Sequence, residues 1–410
     1  MPRHSFSFAQ IPNPLPAAFL RGGTSKGVFI NRKHLPPARS DWAPIFLRIM
    51  GSPDLEYGRQ LNGMGGGISS LSKIVVVGPP SSREVPSGIE AEYTFAQVGI
   101  RDTEIDYSGN CGNLSSMVGA FAVDEDICTP CINPSDMSGG SLGIVRLWNT
   151  NTNKEIHTTF PVTSDLKPAL DLEQVSVAGV PDKASQILLD FVDPGGARTG
   201  KLLPTGNSVD HFIINNEGTN IQCTVSLVDA TNPTVFVASE DVFASPYLPN
   251  DNVYIQSGSQ GLLDTIERIR NAGAEAMGLD PSAQAQPKIA FLGLPPDSQG
   301  SPTAPDGIPA DICIQAMSMG VLHRAVPMTV GLCLGVAAAI PGTVPHRILK
   351  VAQVRNNLTA DSGRSQQGLV RIRHPSGMVD VGAEFGQDGS IKSAKVVRTG
   401  RRLMQGAVWW

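Results

Sequence analysis

The chain has 410 residues, 41% hydrophobic and 17% charged. At ~150 residues per domain that predicts two to three domains, with enough apolar material for a large core, and it excludes wholesale disorder. A net charge of −5 argues against the strongly basic face of a dedicated nucleic-acid binder. Forty-three glycines and 32 prolines favour short strands and tight turns over a helix bundle.

Taken in chain order, the N-terminal stretch through Pro16 lacks an apolar signal core, and Pro12, Pro14 and Pro16 would break an amphipathic presequence helix. The apolar stretch Val28–Ile30 follows. Lys73–Val77, Tyr93–Ile100, Ile187–Val192, Ile221–Val228, Thr234–Ala238 and Ile289–Leu294 read as strands, each closed by Gly, Pro, Asp or Asn. Leu369–Arg373 and Met378–Ala383 flank His374-Pro-Ser-Gly377, a hairpin turn. Few segments read as helix. Leu114–Val123 puts Leu114, Met117, Val118 and Phe121 on one face, and Leu262–Met277 aligns Leu262, Ile266 and Ile269. Thr329–Ala339 is apolar all round, as in a buried helix. The run Thr329–Ile340 is too short to span a bilayer and ends at Pro341.

Two mostly apolar helices about half the chain apart, each preceded by strands, predict two similar β-rich halves, without a residue-level repeat. The expected boundary lies near Asp193–Lys201, giving a first half over residues 1–193, joined by the C-terminal segment 395–410, and a second over 194–394. Asp297–Ile308 and Pro130–Leu142 are expected loops.

Several motifs are absent. Arg21-Gly-Gly-Thr-Ser-Lys-Gly27 and Gly63-Met-Gly-Gly-Gly67 fit neither the P-loop nor the dinucleotide fingerprint. No G-x-S-x-G elbow occurs. Cys128-Thr-Pro-Cys131 is a lone C-x-x-C, and the seven histidines form no metal-binding cluster, so metal catalysis is disfavoured. Six cysteines over this length are too sparse for a disulfide scaffold and read as reduced thiols of a soluble, cytoplasmic protein with no membrane partner.

Asp106-Tyr-Ser-Gly-Asn-Cys-Gly-Asn-Leu-Ser-Ser116 places Cys111 in a Gly/Asn turn before an apolar helix, with Asn113 as the expected N-cap. A thiol there feels the positive end of the helix dipole, and the unpaired N–H groups can receive a carboxylate or an enolate oxygen. An inert buried thiol beside a structural turn fits the pattern equally well. In Asn62-Gly-Met-Gly-Gly-Gly-Ile-Ser-Ser-Leu-Ser-Lys73, a Gly-rich loop with hydroxyls offers donors to an anion, and Lys73 opens a buried strand. A desolvated amine there could serve as a general base; the bland alternative is a lysine reaching from a strand end to water. Leu203-Pro-Thr-Gly-Asn207 is a turn with donors. Met317-Ser-Met-Gly-Val-Leu-His323 precedes the second buried helix, the place Cys111 holds in the first half, with His323 expected to be structural.

At these segments the sequence resembles the PrpF-type family of 2-methylaconitate cis–trans isomerases and related aconitate isomerases. The matching stretches are Arg21–Ile30, Gly63–Lys73, Asp106–Ser116, Leu203–Asn207, Ser226–Pro233, Ser318–Gly320, Ala339–Val344, His374–Gly377 and Arg398–Gly406, nearly end to end and in order. The resemblance implies an α+β, diaminopimelate-epimerase-like fold: two pseudo-symmetric β-rich halves, each wrapping a central helix, with the active site in the cleft between. It implies a cofactor-independent isomerase of a small unsaturated di- or tricarboxylate, with Lys73 and Cys111 as catalytic residues. The implied substrate-binding set is Arg21, Thr24, Ser25, Lys26, Asn62, Gly65, Gly66, Gly67, Ser69, Ser70, Asn110, Gly112, Asn113, Thr205, Asn207, Ser318 and Met319. The chain departs from the family pattern at Glu125–Gly140 and at Pro327–Cys333.

The expected chemistry is aconitate or 2-methylaconitate isomerisation. Substrate carboxylates sit on N–H groups around Cys111–Asn113 and the loop Gly65–Ser70, with Arg21 and Lys26 adding charge. Neutral Lys73 removes an allylic proton, and Cys111 returns or relays it; nucleophilic addition by Cys111 is the competing route. Alternatives are a tautomerase or Δ-isomerase of a related oxo- or methyl-substituted dicarboxylate, and a carboxylate-binding protein without turnover. A homodimer is one assembly open to the chain, and the sequence does not fix the oligomeric state.

Overall fold

The computed structural model describes residues 11–81, 85–107, 109–133, 141–216, 219–243, 248, 260–283, 286–295, 309–318, 321–322, 326–355 and 368–410. The expected loop Asp297–Ile308, residues 134–140 of the other expected loop, Met319 and His323 lie outside the described residues. The first elements are β1 (Leu15–Gly22), β2 (Ser25–Asn31), α1 (Ala43–Met50), β3 (Lys73–Gly78), β4 (Ala91–Val98), β5 (Ile105–Asp106), α2 (Gly112–Asp124), β6 (Cys131–Asn133), β7 (Ser141–Asn149), β8 (Lys154–Val162) and β9 (Ile187–Val192). There follow β10 (Asp210–Asn216), β11 (Thr219–Ala230), β12 (Asn232–Ala238), α3 (Ser239–Phe243), α4 (Gln260–Ala276), β13 (Lys288–Gly293), β14 (Ile312–Ser318), β15 (Val321–Leu322), α5 (Met328–Ala339) and α6 (Val344–Arg355). The chain ends with β16 (Leu369–His374), β17 (Gly377–Phe385), β18 (Ile391–Arg398) and β19 (Gly400–Val408). The class is the expected α+β. Helices α1 and α6 were not expected from the sequence, and β6 falls inside the expected loop Pro130–Leu142; both helices owe their place to packing rather than to long apolar periodicity.

The chain divides into two compact units, residues 1–189 with 398–410, and residues 190–397. In the first, β1 pairs with β19 on one side and with β2 on the other, both antiparallel. Strand β2 is parallel to β3, β3 antiparallel to β4, β4 parallel to β7, and β7 antiparallel to β8. Every residue of β3 is buried, as for a strand covered on both faces. Alternation divides the faces. Val28, Ile30, Ile74 and Val76 join a core with Ile45, Phe46 and Ile49 of α1. Phe29 points the other way, its ring 5.5 Å from that of Phe121 on α2. Leu114–Val123 of α2 are all buried, so this helix is enclosed on every side rather than on one face. The strands press close: a Cβ on Gly27 would stand 2.8 Å from Leu114 Cδ1 and 2.9 Å from the Lys73 carbonyl oxygen.

The second unit repeats this plan within itself. Strands β10, β11 and β12 are successively antiparallel, and β12 is parallel to β13. Strand β13 is antiparallel to β14, β14 parallel to β16, and β16 antiparallel to β17. On one face Ile266, Ile269 and Met277 of the α4 segment pack with Val225, Leu227, Val235, Val237, Ile289 and Phe291. Helix α5 is buried from Val330 to Ala338. A Cβ on Gly335 would meet the Gly382 backbone nitrogen of β17 at 2.7 Å, which is why glycine stands there. The β16–β17 hairpin closes on Pro375–Ser376, as its sequence predicts, with His374 paired to Gly377 at φ +138°. Among the described residues no single helix is long and apolar enough to cross a membrane; α5 and α6 together have the length but bend by 71° where they meet.

Candidate active site

Lys73 opens β3, directly opposite Gln97 of β4. Since Ile74 and Val76 face α1, Lys73 faces α2, and its side chain is only 8% exposed. The amine bonds Gln97 Oε1 at 2.8 Å and stands 5.0 Å from the centre of the Phe95 ring. It does not reach out to water from a strand end. No carboxylate shares it: its polar partner among the described residues is a neutral amide.

Cys111 is the last residue before α2, in extended backbone (φ −102°, ψ 91°), half-buried, with Sγ 3.9 Å from Ser25 Oγ of β2. No side chain caps α2. The first intrahelical bond runs from Ser115 N–H to the Cys111 carbonyl, which leaves the N–H groups of Gly112, Asn113 and Leu114 at the positive end of the helix dipole. The expected N-cap role of Asn113 is therefore corrected. Asn113 lies inside the first turn, and its amide turns outward, donating to Thr24 Oγ1 at 3.1 Å and Ser25 Oγ at 3.4 Å while Oδ1 accepts from Arg398 Nε at 3.0 Å. The β1–β2 turn fits against it so tightly that a Cβ on Gly23 would lie 2.4 Å from Asn113 Oδ1.

Ser25, Lys73 and Cys111 thus share one side of one sheet, linked through Gly27, which lies against both Lys73 and Leu114, the third residue of α2. Beneath them Tyr93 OH meets Ser115 Oγ at 2.8 Å, and Ser115 Oγ donates to Asn110 Oδ1 at 3.1 Å. Complete burial pushes the Tyr93 phenol well above its ordinary range. Burial also pulls the Arg398 guanidinium down to about 10, against an opposing pull from Cys111. Chemically the arrangement offers an amine, a thiol and a helix start whose first N–H groups have no acceptor within the helix: the parts of a proton donor–acceptor pair beside an anion subsite.

Other expected site residues are used differently. The glycines of the 62–67 loop serve packing. Gly63 N–H bonds Gln60 O, Met64 N–H bonds Ile49 O, Gly65 N–H bonds Met50 O, and Gly67 N–H bonds Gln60 Oε1 at 3.0 Å. A Cβ on Gly65 would strike that same amide at 2.4 Å, and one on Gly66 would strike Leu71. The expectation that Gly65 and Gly67 donate to an anion is therefore corrected, because those donors are already committed to fully buried Gln60 and to Met50. Asn62 sits exposed in this loop, and Ser69 and Ser70 form a 3-10 turn ending next to Lys73, with the Ser69 carbonyl accepting from Gln97 Nε2.

Arg21 and Lys26, directly paired across β1 and β2, lie on the face opposite Ser25 and Gly27, away from Cys111. Lys26 covers the Phe19 ring at 5.8 Å. Arg21 bonds the Gly23 and Thr399 carbonyls, its guanidinium pulled down by burial and by Arg401 opposite. In the second unit, Thr205 Oγ1 donates to Asp210 Oδ2 and Asn207 Nδ2 to Asp210 Oδ1, so both close their own turn. Ser318 ends β14 and is not the counterpart of Cys111; the residue before α5 is Pro327. Cys128 and Cys131 stand apart from the Cys111 cluster. Burial, then Glu90 and Cys131, push the Cys128 thiol to about 12, and a hydrogen bond to Glu90 raises Cys131.

Gln97, Tyr93, Ser115 and Arg398 were not singled out from the sequence. Gln97 could have been suspected as the polar residue in the apolar run Tyr93–Ile100, and Arg398 as the first residue of a stretch matching the PrpF-type family.

The family described as "PrpF protein" matches residues 13–410. The chain belongs to the PrpF family. It is 34% identical over 406 residues to a 3-methylitaconate isomerase of Eubacterium barkeri, covering 96% of this chain and 97% of that one. It is 35% identical over 414 residues to a 2-methyl-aconitate isomerase of Cupriavidus necator, covering 96% of each. A solved methylitaconate-delta-isomerase superposes with a TM-score of 0.79 at 34% identity, over 96% of this chain and 95% of the other. The protein is an isomerase.

Proposed function

We propose that the protein moves a proton along an allylic system in a small unsaturated di- or tricarboxylate such as 2-methylaconitate, aconitate or methylitaconate. The observation that carries this reading is the pairing of a buried amine and a half-buried thiol on one side of a sheet, beside the uncapped start of a buried helix. A C–H bond α to a carboxylate, or vinylogous to it, is made acidic by delocalisation in such substrates. One relative is a 3-methylitaconate isomerase, another a 2-methyl-aconitate isomerase, and a third, 30% identical over 396 residues, is a 4-oxalomesaconate tautomerase of Pseudomonas putida, covering 96% of this chain and 95% of that one.

In the forward step neutral Lys73 takes the allylic proton and becomes an ammonium, while the electron pair spreads into a dienolate. The negative oxygen lies on the N–H groups of Gly112–Leu114, where the helix dipole favours an anion. Cys111 protonates the far carbon and is left as thiolate; transfer of the Lys73 proton to it, directly or through solvent, resets the pair. A positional isomer results directly, and rotation within the dienolate before reprotonation at the first carbon gives the geometric isomer. Ser25 Oγ holds the thiol in place.

The test is proton NMR in D₂O with cis-aconitate, trans-aconitate, 2-methylaconitate, methylitaconate and oxalomesaconate in turn. Turnover of one of the first four with solvent deuterium in product is expected. Turnover without deuterium would replace proton transfer by nucleophilic addition. Preference for oxalomesaconate would move the substrate to an oxo acid, and binding without turnover of any of the five would reduce the protein to a carboxylate binder.

A further inference from the structure

The geometry points to Gln97 as a positioning residue for Lys73, a carboxamide that aims the amine at substrate while leaving it free to change charge. The inference rests on the proposed role of Lys73 as the proton-accepting amine and deepens it. Gln97 stands directly across the β3–β4 ladder, and its orientation is fixed from behind. Its Nε2 donates to the Ser72 carbonyl at 2.9 Å and the Ser69 carbonyl at 3.2 Å, so the NH₂ end is committed to the chain just before β3. The amide oxygen must then face Lys73, and it accepts from Nζ at 2.8 Å. Flipping the amide would set its NH₂ against the amine and its oxygen against two carbonyls, losing all three bonds.

The choice of amide over acid has a chemical consequence. A base must be neutral before it acts and charged after it. A carboxylate within hydrogen-bond distance favours the ammonium and holds the proton on the nitrogen. A carboxamide accepts an N–H from either NH₂ or NH₃⁺, so direction is kept through both halves of the cycle. The Phe95 ring at 5.0 Å adds only a weak preference for the charged form. The other ionisable groups on this face are Cys111 at the start of α2, Tyr93 farther along β4, Arg398 at the end of β18 and exposed Asp106 of β5, which pairs with Gln97 from its other side and so lies one strand farther from Lys73 than the amide does. Because the same amide ties down the Ser69–Leu71 turn, the chain beside the site and the amine move as one piece.

The experiment compares Gln97→Glu, Gln97→Leu and Lys73→Ala with wild type in steady-state turnover from pH 6 to 10. Gln97→Glu should lower kcat about 100-fold at pH 7 with KM changed less than about threefold, on the scale of a misplaced acid–base group. Its rising pH limb should move up by one unit or more, so that activity partly returns in alkali, a recovery that mere structural damage would not produce. Gln97→Leu should lower kcat at every pH without moving the limb. If Lys73→Ala is inactive while both Gln97 variants keep wild-type kcat and pH profile, the inference is overturned and the role of Lys73 stands. If Lys73→Ala retains wild-type turnover, the reading of the site itself fails.

Discussion

The two units carry the same internal plan, and their corresponding helix starts have opposite character. In the first, β3 opens Lys73-Ile-Val-Val-Val-Gly78 parallel to β2, and the buried helix begins after Cys111. In the second, β13 opens Lys288-Ile-Ala-Phe-Leu-Gly293 parallel to β12, and the buried helix begins after Pro327. Lysine and strand recur, but thiol becomes proline. The β3–β4 ladder pairs Lys73 with Gln97, whereas the β13–β14 ladder begins one residue later, at Ile289 with Met317. Burial, then nearby Arg270, pull the Lys288 amine below its ordinary range. A lysine at the start of this strand is therefore common to the two units, buried in the first and half-buried in the second. What distinguishes the first unit is the thiol before its buried helix, on the same side of the sheet as the lysine.

The sharpest way to break that comparison is to remove each lysine in turn. Lys73→Ala and Cys111→Ala should each cost about 1,000-fold or more in kcat, whereas Lys288→Ala should stay within about threefold; equal losses would make the two units functional equivalents. Next come the helix contacts. Gly335→Ala drives a Cβ into the Gly382 backbone, which cannot turn aside, and should cost about 3 kcal/mol in urea unfolding. Gly119→Ala meets the Thr158 and Phe160 side chains, which can yield, and should cost about 1–2 kcal/mol. Asn113→Ala strips buried Arg398 of a 3.0 Å acceptor; about 1.5–3 kcal/mol should be lost by the same measurement.

The smallest effect concerns the loop that leads into Lys73. N–H groups of Arg59, Tyr57 and Gln60 hold the Asp54 carboxyl down at about 2, below its ordinary value of about 3.9. A depressed folded value means that its stabilisation is complete above about pH 4 and is lost as pH falls through about 2. Amide hydrogen exchange at residues 57–60 should therefore quicken between pH 4 and pH 2 beyond the intrinsic change, and Asp54→Asn should remove that extra step.

Lys73 and Cys111 could be put forward from the sequence because each carries its own local signal: an amine heading an apolar strand, and a thiol in a Gly/Asn turn at a helix start. The Gly-rich loop was misread because glycine has the same letter whether it admits a ligand or another stretch of backbone, and here it admits Met50 and Gln60. Arg21 and Lys26 were assigned to the site for their charge, yet alternation along β2 sends Lys26, and with it its β1 partner Arg21, to the far face from Ser25. The likeness of Lys73–Gly78 to Lys288–Gly293 became visible only when strand pairing aligned them, since two shared letters and a terminal glycine are too few to stand out over 410 residues.

In the sequence by itself, motifs kept in order determined the family and with it the α+β class, apolar patterning determined the two buried helices, and turn chemistry determined the hairpin at Pro375–Ser376, since each depends on neighbours in the chain. Tertiary structure alone decided which partners the reactive groups meet: Gln97 for Lys73 across 24 positions, Ser25 beside Cys111 across 86, and Arg398 on Asn113 across 285. The reason is physical. A side chain's reactivity is set by what replaces its water, and that choice is made by strand register and helix placement, to which residues far apart in the sequence contribute together.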